Sequence, residues 1–101
     1  MNPVQVSRQG DEAVISIGER FDFSVHKAFR DAYESSVSDA QVHRYVIDLA
    51  DTSYVDSSAL GMLLVFRDRV AAGDEIAVTN CNREVRNIFQ VANFQKLFKI
   101  G

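Results

Sequence analysis

The sequence predicts an α/β fold, a mixed β-sheet of four to five strands with a parallel core, packed against about three α-helices. Three observations carry this prediction. Short apolar stretches with strand periodicity are interleaved with longer stretches that repeat every three to four residues. Their order is strand, strand, helix, strand, helix, strand, helix, and that alternation points to parallel pairing through right-handed crossovers. The chain has 101 residues, enough for one hydrophobic core and too few for two, so a single domain over residues 1–101 is expected.

Val4 and Val6 alternate with polar Gln5 and Ser7, Gln9-Gly10-Asp11-Glu12 supplies turn chemistry, and Ala13 to Ile17 reads as a second strand. A hairpin therefore opens the fold. Ser24 is the expected N-cap of a first helix whose apolar positions Val25, Ala28, Phe29, Ala32, Tyr33 and Val37 share one face. Tyr45 to Leu49 is close to a continuous apolar run, the pattern of an inner strand covered on both faces. Asp48 interrupts it, and the expected role is to accept backbone N–H groups of the following loop.

A polar loop follows and feeds a second helix, expected from Ser57 or Ser58 to Ala72 and stopped by Gly73-Asp74. Its first half, Ala59 to Phe66, is apolar nearly all round, so it must be buried or covered by a partner. Glu75 to Thr79 gives a further strand. Asn80 or Asn82 then caps a last helix with Val85, Ile88, Phe89 and Ala92 on one face. Phe89, Phe94 and Phe98 are expected to close the core near the C-terminus.

Composition excludes several classes of function. The formal net charge is −3 and the basic residues are scattered, so neutralising a nucleic-acid backbone is not expected. Cys81 is the sole cysteine, so no intrachain disulfide can form, and neither a second thiol nor a histidine stands at metal-ligand spacing. The start, Met1-Asn2-Pro3-Val4, does not resemble a signal peptide, and the longest apolar run, Met62 to Phe66, is far short of a membrane span. A cytoplasmic protein without metal or cofactor, binding neither nucleic acid nor membrane, is the expectation. His26 and His43 stand in no arrangement with a nucleophile or a carboxylate pair, and no glycine-rich phosphate loop follows a strand, so an enzyme is not expected.

The segment that stands out chemically is Asp56-Ser57-Ser58-Ala59-Leu60-Gly61, where a strand's following loop meets a helix. Its plainest reading is a cap, with Asp56 or Ser57 satisfying the first free N–H groups. Two consecutive hydroxyls exceed what a cap needs, however, and the positive end of a helix dipole tolerates an added phosphate. Small Ala59 and Gly61 leave the backbone open to close approach beside Leu60, Met62 and Leu63, as a recognition surface requires.

Leu49-Ala50-Asp51-Thr52-Ser53-Tyr54-Val55-Asp56-Ser57-Ser58-Ala59-Leu60-Gly61 resembles the signature of the STAS domain in bacterial anti-sigma factor antagonists: an apolar strand, a short polar loop, then Asp-Ser-Ser/Thr-Gly-Leu-Gly. Phe21-Asp22 is similar to the family's acidic position before its first helix, and Val85-Arg86-Asn87-Ile88-Phe89 to its last-helix pattern. The family's usual glycine after the hydroxyl pair is Ala59 here. The resemblance implies a STAS-type fold, and phosphorylation at Ser57 by a partner kinase that is often itself the anti-sigma factor, with a phosphatase to reverse it. It implies that the unphosphorylated protein binds an anti-sigma factor or other regulator through Asp22, Phe23, Asp56, Ser58, Ala59, Leu60, Gly61 and Met62 and is released on phosphorylation. Transcription would be the output, with motility or biofilm formation as the regulated process. The alternative is a STAS-type sensor that holds a small ligand or nucleotide at the same helix start.

Overall fold

The computed structural model describes residues 3–101. A five-stranded mixed sheet has the order β1-β2-β4-β6-β7, with β1 (Val4–Gln9) antiparallel to β2 (Glu12–Ile17). The remaining pairs, to β4 (Arg44–Asp48), β6 (Glu75–Thr79) and β7 (Lys99–Ile100), are parallel. The opening hairpin turns at Gly10-Asp11, where Gly10 has φ +60°, a conformation that glycine adopts without steric cost. Three helices, α1 (His26–Val37), α2 (Ser57–Arg69) and α3 (Arg83–Val91), occupy the connections.

Side chains alternate across each strand, and only one face of the sheet is fully covered. Ala13, Ile15 and Ile17 on β2, Tyr45 and Ile47 on β4 and Val78 on β6 point into the core. Val14, Val46 and Ala77 lie on the opposite face and are only half-buried. The expectation that residues 45–49 form a strand covered on both faces is therefore corrected. β4 has strands on both sides but a lid on one face, and Asp48 belongs to the open one. At the other end of that face Arg44 stands between Glu12 and Glu75, and Lys99 continues the alternation, giving a cross-strand charge ladder.

The core is built around Phe66 of α2. Its ring lies 5.8 Å from that of Phe29, 5.0 Å from Tyr33 and 5.5 Å from Tyr45, so one side chain joins both long helices to the sheet. Phe89, Phe94 and Phe98 stack in series and are buried, as expected, and they seal the end of the domain.

Several boundaries differ from expectation. Ser24 does not cap α1. Asp22 caps a 3-10 turn at Phe23–Val25 that leads into the helix, accepting from the Ser24 amide at 3.0 Å. α2 ends at Arg69 rather than Ala72: Val70 is extended, and Ala71 and Ala72 are exposed, with no packing to hold another turn. Of the two asparagines before α3, Asn82 caps it, through a 2.8 Å bond from the Val85 amide. Asn80 instead takes φ +60°. A second, two-stranded parallel ladder, β3 (Arg20–Phe21) with β5 (Tyr54–Val55), was not expected.

Candidate functional site

That small ladder assembles the site. It pairs Arg20 with Tyr54 and Phe21 with Val55, and each strand is followed at once by an aspartate that caps a helical turn. Phe21 and Val55 face inward and are buried, which fixes the two segments to the core. Asp22 and Asp56 then start the 3-10 turn and α2 from neighbouring positions. Asp56 Oδ1 accepts from the Ala59 amide at 3.1 Å, satisfying one of the free N–H groups of the helix.

The segment between β4 and β5 is fastened at several points. The Thr52 hydroxyl, buried, donates to the Gly18 carbonyl at 2.8 Å. Backbone amides of Ser53 and Tyr54 donate to the Glu19 carbonyl. Asp48 accepts from the Ala50 amide at 3.0 Å, the support expected of it, and also from the Asn80 side chain at 3.0 Å. The loop that presents Ser57 is thus held on both flanks.

Electrostatically the corner is mixed. Arg20 bonds Asp22 at 3.0 Å and lies 4.2 Å over the Tyr54 ring, a cation–π contact. The Asp22 carboxyl is held below its ordinary value, first by the Ser24 hydroxyl that donates to it and then by Arg20. Ser57 itself is exposed at the first position of α2.

An open groove of about 440 Å³ runs between α1 and α2. Phe23, Ser58, Gly61 and Met62, all anticipated from the sequence, line it. Leu60 is half-buried and packs against the core, and Ala59 is fully buried. Ala59 therefore faces inward, where its side chain is out of reach of a docking surface. Sequence reasoning missed His26, Phe29, Arg30, Tyr33 and Val65, which complete the lining. The available signal was spacing, since 26, 30 and 33 on α1 and 58, 61, 62 and 65 on α2 are both helical stripes.

The other titratable candidates lie elsewhere. His43 contacts Asp74 at 3.2 Å, a pairing the sequence did not suggest, at the opposite end of the parallel strands and in solvent. Cys81 is buried, and desolvation raises its thiol above the ordinary value. Among the described residues no group of three or more His, Cys, Asp or Glu could hold a metal ion, and no helix is long and apolar enough to cross a membrane.

Comparison with known proteins places this architecture. The family model described as "Mlab, STAS domain" matches residues 4–99. A STAS-domain containing protein of Pseudomonas aeruginosa (strain UCBPP-PA14) is 48% identical over 96 residues, covering 94% of this chain and 93% of that one. Among solved structures, an anti-sigma factor antagonist from Mycobacterium paratuberculosis superposes with a TM-score of 0.85 at 20% identity, over 96% of this chain and 82% of its own. The Bacillus cell fate determinant SpoIIAA in its phosphorylated form gives a TM-score of 0.74 at 17% identity, over 97% of this chain and 90% of its own. By family model, close relative and shared fold, the chain belongs to the STAS-domain family, in the fold of the anti-sigma factor antagonists.

Proposed function

We propose that this protein is a partner-switching anti-sigma factor antagonist controlled by phosphorylation of Ser57. Unmodified, it binds an anti-sigma factor or another regulator across the N-terminal half of α2 and the turn that begins at Asp22. A serine kinase, which can be the partner itself, modifies Ser57 and so releases the partner, and a phosphatase resets the switch. The single observation that supports this reading most is the position of Ser57: an exposed hydroxyl on the first residue of α2, directly after the aspartate that caps it. That SpoIIAA, a protein of the same fold, has been solved in a phosphorylated form adds to it.

The physics of the switch is local. A phosphoryl group adds about −1.5 to −2 charges at neutral pH. The helix dipole and free N–H groups at the start of α2 favour it, while Asp22 and Asp56 oppose it, so the fold tolerates the group and the surface there becomes more negative. A docked partner with an apolar or acidic patch at this place loses affinity, because a charge buried without a counterion outweighs the few kcal/mol that separate bound from free. The protein needs no catalytic group of its own. The regulated process, on this reading, is transcription, with motility or biofilm formation downstream.

A binding titration tests the proposal. Wild type and Ser57→Ala should bind the partner regulator alike, Ser57→Asp should bind weakly, and kinase with ATP should release wild type only. If Ser57→Asp binds as tightly as wild type, or ATP and kinase release Ser57→Ala equally well, the reading is wrong. Retention of nucleotide by the isolated protein would instead favour a ligand sensor.

A further inference from the structure

The groove between α1 and α2 is apolar in its bed and one-sided in its charge. Phe29 and Met62 are buried at its base, while Phe23 and Val65 stand 69% and 56% exposed along it. No aspartate or glutamate lines it. Arg30 does, and among the described residues Arg30 makes no ion pair and no side-chain hydrogen bond. The carboxylates on its own helix are engaged elsewhere: Glu34 takes two 2.7 Å bonds from Arg69, and Asp31 pairs with Lys27 at 3.8 Å. A cation with no direct ion-pair partner, only the nearby charge of Glu34, thus overlooks an apolar trough.

Gly61 adds an independent observation. Glycine inside a helix costs about 1 kcal/mol relative to alanine. Nothing within the fold asks for it here, because a Cβ at Gly61 would meet no atom within 4 Å. The space it leaves opens into the groove and lets another backbone come close to α2. Helix flanks bound the groove on both sides, so it offers no row of unpaired backbone donors to an extended strand.

We infer that the groove receives an amphipathic helix of the partner. Its apolar stripe lies on Phe23, Val65 and the accessible edge of Met62, its backbone approaches most closely at Gly61, and an aspartate or glutamate on its flank meets Arg30. This rests on the reading that the partner docks on this face, and it names the occupant. It also makes the switch directional. Ser58, next to Ser57, lines the groove, so a phosphate on Ser57 confronts a partner segment that already carries negative charge.

The test is selection of displayed helical peptides of about 18 residues, roughly five turns, on the full unmodified chain, followed by titration of the enriched peptides. Enriched sequences should repeat apolar residues at helical spacing with an acidic flank, and should bind Arg30→Glu at least about ten-fold more weakly. Changing the peptide's acidic residue to lysine should restore affinity for Arg30→Glu. Gly61→Leu should abolish binding while its circular dichroism and melting remain those of a folded protein. Failure to enrich any peptide, enrichment of extended or basic ones, or indifference to Arg30→Glu overturns the inference. So does a homodimer in sedimentation that Gly61→Leu disperses, which would give the groove to a second copy. Ser57→Asp separates the two readings: if peptides bind it as tightly as wild type yet still require Arg30, the helix site stands and the phosphate switch falls.

Discussion

The Thr52 hydroxyl donates to the Gly18 carbonyl at 2.8 Å, with the Ile17 carbonyl 3.2 Å away. This buried bond ties the segment leading to Ser57 to the end of β2, whose continuation leads to Asp22. The two halves of the site are therefore set by one side chain as well as by the β3–β5 ladder. Thr52→Val keeps the shape and removes the donor, leaving buried carbonyl oxygens without it, which should cost about 1–3 kcal/mol in urea denaturation. Thr52→Ser should recover most of that loss, because the hydroxyl is retained.

Gly61→Ala should move stability in the opposite direction. A methyl group there meets nothing, and the residue it replaces is the poorest helix former apart from proline. Gains of roughly 0.5–1 kcal/mol are expected, read as a higher melting temperature with an unchanged circular dichroism spectrum. A loss of stability would mean that the notch is needed for the fold itself.

Asp48 joins the ends of two parallel strands, since Oδ1 accepts from both the Ala50 amide and the Asn80 side chain. Asp48→Ala should cost about 1–2 kcal/mol, two modest hydrogen bonds in a half-exposed place. Amide exchange at Ala50 should quicken more than in the core of β4. Asp48→Asn keeps an oxygen acceptor and should behave closer to wild type.

What could be read from the sequence was whatever repeats. The hairpin, the strands around Ile15, Ile47 and Val78, and the faces of the three helices all announce themselves by periodicity. The start of α2 was legible because Asp56 and two serines precede an apolar run. Strands β3, β5 and β7 have two residues each, too few for a period to show. Thr52 was hidden in a polar stretch, where only tertiary packing makes a hydroxyl indispensable. Val46 misled the reading of β4, because an open sheet face can carry an apolar residue half-exposed. Phe23, Arg30 and Gly61 come from separate elements, and only the packing of α1 against α2 brings them to one groove.

Asp22 gives the fold a predictable acid response. Its carboxyl accepts from the Ser24 hydroxyl and amide and from Arg20, and these bonds hold its pKa below the ordinary carboxylate value. Glu34 is shifted the same way by Arg69. In the unfolded chain both revert to ordinary values, about 3.9 for aspartate and 4.3 for glutamate. A depressed folded value means that the unfolded state binds more protons in this range, so the contribution is fully present above about pH 5 and fades as pH falls through the folded values. Asp22→Asn removes the Asp22 part of that dependence. The stability difference between wild type and Asp22→Asn, followed by denaturation from pH 7 to pH 3, should be constant down to about pH 5 and then shrink. A difference that stays flat or widens toward low pH would show that the capping carboxylate is not held ionised by these partners.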